Sequence, residues 1–137
     1  MKMSRFILLI AGIISVILFS GCSENSKKAT ETGKSFLVNL YTCNFKAADV
    51  LCTDYGKEEV RWFASNLTKE DLAIISSNVE VETETCEFSD STAFIVYIAK
   101  NVIVCDSLET KSHIGTRSIT VILKNVNSTW KVDKLKW

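Results

Sequence analysis

Apolar residues run almost unbroken from Phe6 to Phe19, with only Gly12 and Ser15 among them. Further on the spacing turns helical. Between about Ala29 and Thr42, Phe36, Leu37, Leu40 and Tyr41 recur every three to four residues and so line one helix face. Cys43-Asn44 breaks the pattern, and Asn44 is placed to cap a short second helix, Phe45 to Leu51. Asp54 is placed to cap a third, carrying Val60, Trp62 and Phe63. Thr68-Lys69-Glu70-Asp71 has the form of a capping box and opens a last turn with Leu72 and Ile75.

After Ser77 the period falls to two, the mark of strands. Val79 to Glu84 alternates, and Thr92 to Cys105 is rich in β-formers. A two-residue turn at Ser89-Asp90 sets Val81 opposite Ile98, Thr83 opposite Val96 and Thr85 opposite Phe94. That register gathers Val79, Val81, Phe94, Val96 and Ile98 on one face and sends the glutamates to the other. Lys100-Asn101 interrupts the second strand and predicts a bulge or bend. Gly115 to Asn125 and Thr129 to Trp137 form a second hairpin around Asn127-Ser128, with Leu123 opposite Val132 and with Val121 and Trp130 on the same face.

Helices followed by four antiparallel strands predict an α+β fold, in which a curved four-stranded sheet wraps the N-terminal helices as a cone. The chain here resembles the nuclear-transport-factor-2-like (cystatin-like) superfamily. More narrowly, it is similar to small bacterial lipoproteins with a domain of unknown function, sometimes described as lumazine-binding-like. The residues that carry the likeness are Phe36-Leu37-Val38-Asn39-Leu40-Tyr41, Asn44-Phe45-Lys46-Ala47-Ala48, Lys69-Glu70-Asp71-Leu72 and Trp130-Lys131-Val132-Asp133. It spans about residues 29–137. Ser128-Thr129 stands where that group often has a glycine before the final Trp-Lys.

The first residues form an export signal: Lys2 and Arg5, the apolar run, then small Ser20 and Gly21 before Cys22. The run is roughly 14 residues, short of the about 20 that a helix needs to cross a bilayer. Leu18-Phe19-Ser20-Gly21-Cys22 resembles the lipobox of bacterial lipoprotein precursors, with Phe19 departing from the usual Leu. The resemblance implies cleavage after residue 21 and two or three acyl chains (palmitate among them) on Cys22, which makes membrane attachment effectively permanent. Ser23, in place of an aspartate, implies the outer membrane. The expected organisation is thus a signal peptide at 1–21, a lipidated polar tether at 22–28 and one domain at 29–137.

Composition narrows the function. Without residues 1–21 the chain has 14 Lys+Arg against 16 Asp+Glu, so nucleic acid is not an expected partner. Cys43, Cys52, Cys86 and Cys105 would sit in an oxidising compartment. Cys43 and Cys52 bracket a helix, and the roughly 13 Å between them exceeds disulfide reach. Long-range bonds, such as Cys52 to a strand cysteine, or buried free thiols remain open. The cysteine spacings give no metal site, and none is expected. Glu80, Glu82, Glu84 and Glu87 read as the solvated side of a sheet.

His113, the single histidine, falls beside the polar connection Asp106 to Ser112. Enzymes of the resembling superfamily place acids or histidines inside the cone, whereas the strand positions here are apolar. No catalytic residue and no cofactor is expected. Trp62, Phe63, Phe94, Val96 and Trp130, with Tyr97, are candidates to line an apolar pocket at the cone's mouth. The reading is a membrane-anchored, non-catalytic module that binds a small molecule or an envelope protein. A small isomerase or dehydratase, or an inhibitory or structural partner of an envelope enzyme, is the alternative.

Overall fold

A computed structural model describes residues 24–105 and 111–137. The leader and the lipidation residue Cys22 lie outside the described residues. Residues 24–41 form helix α1, and Ala29, Phe36, Leu37, Leu40 and Tyr41 on one face of it are buried. Each large side chain so buried contributes about 1.5–3 kcal/mol. The stretch expected as a free tether is helical from residue 24. Glu and Lys favour helix, no Gly or Pro interrupts, and Asn25 Oδ1 accepts a 2.9 Å bond from the Trp130 indole. The helix ends in a Schellman turn: Asn44 N–H donates to the Asn39 carbonyl and Cys43 N–H to that of Leu40, with Cys43 at φ 62°.

Helix α2 (Phe45–Val50) begins after Asn44, whose side chain makes no capping bond. Helix α3 (Asp54–Ser65) is capped one residue earlier than expected, by Thr53, whose hydroxyl accepts from Gly56 N–H. Helix α4 (Lys69–Ile74) opens on the expected capping box, with both reciprocal bonds between Thr68 and Asp71.

Four strands follow: β1 (Glu80–Ser89), β2 (Thr92–Val104), β3 (His113–Val126) and β4 (Thr129–Lys136). They form one antiparallel sheet in the order β1-β2-β3-β4, so the fold is α+β, with helices preceding an open sheet. Next to its turn the second hairpin follows the predicted register, Leu123 opposite Val132, and the pairing then shifts by one residue between Ile122 and Leu123. The turn residues Asn127 and Ser128 both have positive φ. The predicted irregularity in β2 is a register shift between Ala99 and Val102, with Asn101 at φ 60°.

The first hairpin differs. Ser89 pairs with Thr92, so the turn is Asp90-Ser91, one residue later than expected. Val81 lies opposite Ala99, Thr83 opposite Tyr97, and Thr85 opposite Val96 across a bulge at Glu84. The slip inverts the faces of β2. Ala93, Ile95, Tyr97 and Ala99 face the core, while Phe94, Val96 and Ile98 lie on the outer side. Glu80, Glu82, Glu84 and Glu87 are exposed as expected, and Glu82 pairs with Lys100 at 3.6 Å.

Two close approaches join the layers. A Cβ at Gly33 would overlap the Tyr97 hydroxyl, and one at Gly56 the Val132 carbonyl oxygen. Gly33 thus makes room for the Tyr97 side chain between α1 and β2, and Gly56 lets α3 lie against the β4 backbone. The segment 51–53 runs along β4, with Val132 N–H donating to Leu51 O and Thr53 N–H to Val132 O. That pairing covers part of a sheet edge that would otherwise present open backbone groups.

Candidate functional site

A cleft of about 260 Å³ opens where the C-terminal ends of α1 and α3 meet the β2–β3 end of the sheet. Its walls are Tyr41 from α1, Trp62 and Phe63 from α3, Ile103 from β2, Arg117 from β3, and Trp137 beyond β4. Asn66, Leu67, Asp71, Cys105 and Ser112 complete it.

The aromatic part is built on Phe63. Its ring lies parallel to Trp137 at 5.8 Å and takes the Tyr41 ring edge-on at 5.3 Å. Tyr41 also meets Trp137 edge-on at 6.3 Å. Successive residues of a helix diverge by about 100°, so Trp62 next to buried Phe63 faces outward, 56% exposed, with its indole 6.0 Å from that of Trp137. Trp137 is itself 38% exposed, so two indoles stand open at the mouth.

Two polar groups sit against these rings. The Arg117 guanidinium carbon lies 5.4 Å from the Trp137 ring centre, a cation–π contact. Arg117 pairs with Ala99 and therefore has the same strand parity as core residues Ile119, Val121 and Leu123. It makes no ion pair with any carboxylate among the described residues. The Tyr41 hydroxyl is buried without a hydrogen-bond partner among the described residues. Burial pushes its pKa well above the usual phenol range, and the Arg117 charge opposes that shift. An unmade bond at such a buried hydroxyl costs about 1–3 kcal/mol.

Asp71 carries the negative charge of the lining. Its Oδ2 accepts from Thr68 N–H at 3.0 Å. That bond first, and then one with the Ser112 side chain, holds its carboxyl below the usual aspartate range. The group is therefore a fixed carboxylate at neutral pH and a poor proton donor there. His113 is exposed at the start of β3, outside the cleft lining.

Of the residues expected to line a pocket, the structure brings Trp62 and Phe63 together and separates the rest. Phe94 and Val96 belong to the outer sheet face, as the register dictates. Tyr97 is fully buried, its hydroxyl donating to the Thr30 carbonyl at 2.8 Å. Trp130 is buried near the hairpin turns, against Phe88 at 5.9 Å and Asn25. Sequence reasoning missed Tyr41, Arg117 and the part Trp137 plays. The Arg117 signal was present: an arginine continues the alternation Ile119, Val121, Leu123 that marks the inner face of β3.

The cysteines do not build a site. Cys52 is a buried thiol donating to the Ala48 carbonyl at 3.2 Å, Cys43 is half-buried and Cys86 exposed. Among the described residues no three metal-ligating side chains of the His, Cys, Asp and Glu types gather. No helix among them is long and apolar enough to cross a membrane. No protein-family model matches the chain, and no curated protein matches it in sequence.

Proposed function

We propose that this chain is a lipid-anchored, non-catalytic binding module that holds a small molecule in the cleft between Tyr41, Trp62, Arg117 and Trp137. The observation that carries the reading is the Tyr41 hydroxyl, buried and unpartnered in a cleft that is also lined by a guanidinium with no carboxylate partner among the described residues. Buried polar groups are ordinarily satisfied, and an orphan lining a cleft is accounted for by a ligand that supplies the missing partner. The cleft lies just below the usual volume range of ligand sites, which suits a compact ligand.

The address rests on the lipobox-like Leu18-Phe19-Ser20-Gly21-Cys22, with acyl chains on Cys22 and outer-membrane placement from Ser23. The domain belongs, on this reading, to the nuclear-transport-factor-2-like superfamily in its cone-shaped, cystatin-like form. Three register shifts in the sheet support that shape. So does the contact between Phe88 and Trp130, which stand on strands at opposite edges. Helix α1 then orients the module. Asn25 is tied near the hairpin turns and Tyr41 opens on the cleft, about 24 Å further along the helix at 1.5 Å per residue. A lipid at Cys22 would thus be attached near the end of α1 opposite the cleft.

The test is a thermal-shift screen of small polar and aromatic metabolite classes against the purified lipoprotein in nanodiscs, with empty nanodiscs as control. Compounds that raise the unfolding temperature of the native protein, and less so that of Trp62→Ala, support the reading. Indifference of the native protein to every class would end it. Mass spectrometry of the mature N-terminus tests the anchor separately.

A further inference from the structure

We infer that the cleft selects a flat, singly charged carboxylic acid, its carboxylate held by Arg117 and the Tyr41 hydroxyl and its ring system laid along Trp137 and Trp62. The inference deepens the binding reading above and rests on it. Three observations converge.

First, the donors. Arg117 presents a planar fork of N–H groups suited to a carboxylate, and the Tyr41 O–H lies within the reach of its charge, with no acceptor among the described residues. Both groups line the same cleft, so a carboxylate bound there would meet the unsatisfied phenol and the unpaired cation together.

Second, the charge balance. Arg117 and Asp71 are the charged residues of the described lining, one of each sign. Asp71 is held ionised by its bonds to Thr68 and Ser112. One guanidinium opposed by a fixed carboxylate suits a monoanion, whereas a dianionic phosphate would carry excess charge beside Asp71. On the far side of the Trp62–Trp137 pair a broader hollow is lined by Glu58 and Glu59. Glu58 there is paired with Arg61 at 2.6 Å, which leaves the Glu59 charge to disfavour an anion and direct its charged end to the Arg117 side.

Third, the walls. The Trp62 and Trp137 planes are tilted 42° to one another and are not closed into a stack, and both indoles are partly open to solvent. Trp137 already carries Phe63 and Arg117 against its ring, so the more exposed Trp62 indole and the free rim of Trp137 are the surfaces offered to a ligand. Indole surface beside a cation favours a planar π-system over a branched aliphatic chain.

Isothermal titration of the nanodisc-held lipoprotein tests this with benzoate, naphthalene-2-carboxylate, indole-3-acetate, their carboxamides, cyclohexanecarboxylate and phenyl phosphate. At least one aromatic acid is expected to bind about ten- to a hundredfold more tightly than its amide, as charged hydrogen bonds allow. Benzoate is expected to outbind both cyclohexanecarboxylate and phenyl phosphate. Arg117→Gln should bring the acid-to-amide ratio near one, and Arg117→Lys should keep part of it. Tyr41→Phe should weaken the acid about two- to tenfold while leaving the unliganded protein's Tm unchanged or higher. A hydroxyl with a purely structural role would lower Tm when removed.

Equal binding of acid and amide overturns the inference and leaves the binding reading standing. Preference for phenyl phosphate or cyclohexanecarboxylate does the same. Binding of none of the probes overturns the inference outright, while the broad thermal-shift screen decides the parent reading.

Discussion

The hydroxyl of Tyr97 occupies the space that a side chain at residue 33 would fill, and from there it donates to the Thr30 carbonyl at 2.8 Å. Gly33 and Tyr97 thus form a matched pair that sets how closely α1 lies on β2. Gly33→Ala, although it raises helix propensity, should destabilise by about 1–3 kcal/mol, the ordinary cost of overpacking. In a Tyr97→Phe background the same change should cost less, because the most crowded atom is gone. Urea denaturation of the four proteins of this cycle measures the coupling. Additive effects of the two substitutions would contradict the contact.

The bond from Trp130 Nε1 to Asn25 Oδ1 makes the start of α1 part of the fold. Trp130 is 4% exposed, so few alternative partners can reach its N–H. Asn25→Ala should lower stability by about 1–2 kcal/mol, near the cost of leaving a buried donor unmade. Asn25→Asp should retain most of the bond. A loosely tethered segment would tolerate both changes equally, and tryptophan-monitored unfolding separates the two outcomes.

The legibility of the fold follows the same local logic. On β3, inward Ile119, Val121 and Leu123 alternate with Ser118 and Thr120, and Asn127-Ser128 is a strong turn. The face, and the register next to the turn, could therefore be read from residues alone, whereas the shift between Ile122 and Leu123 could not. On β2 both parities are apolar: Ala93, Ile95, Tyr97 and Ala99 against Phe94, Val96 and Ile98. Ser89-Asp90 and Asp90-Ser91 are equally good turn pairs, so the alternation could not decide between two registers. What decides is three-dimensional. The long reach of Tyr97 to Thr30 fixes its face of β2 towards α1, Ala93 and Ala99 are buried on that face, and a bulge at Glu84 absorbs the slip. The cleft was half legible for a related reason. Trp62 and Phe63 are conspicuous neighbours on a helix, whereas Tyr41 looks like one more core residue until its hydroxyl proves unpartnered.

Cys52 should be the least reactive of the thiols whose surroundings are described. Burial pushes it up to about 12, Asp49 adds to the shift, and Lys57 and Lys131 oppose it. At pH 8 a maleimide should modify exposed Cys86 promptly and reach Cys52 only on unfolding. Stability should respond to alkali as well. With the folded thiol raised above the unfolded value of about 9, the unfolded chain loses its proton first. Stability is therefore full below about pH 9 and declines as pH rises towards 12. Tyr41 and Tyr97, also raised by burial, extend the decline in the same direction. Urea midpoints that stay flat from pH 8 to 11, or equal labelling of Cys52 and Cys86, would contradict the assignment.

The Thr68–Asp71 capping box holds one wall of the cleft, and its loss should be local. Helix α4 buries none of its residues, so little besides the two reciprocal bonds and the Asp71–Ser112 side-chain bond fixes its first turn. Thr68→Ala should remove about 0.5–2 kcal/mol from this helix, while Thr68→Ser should keep most of the cap. The Asp71 carboxyl is lowered, chiefly by the Thr68 backbone N–H and then by Ser112, so the cap is intact above the ordinary aspartate range near pH 4. It is lost as pH falls through and below that range. Hydrogen exchange should show this as faster opening of 69–74 in Thr68→Ala at neutral pH, with the native protein approaching the same rate only in acid. Because so little of the core touches α4, the strands β2 and β3 should keep their protection throughout. Uniform loss across the sheet would mean that the box supports the whole fold and not the wall of a binding cleft alone.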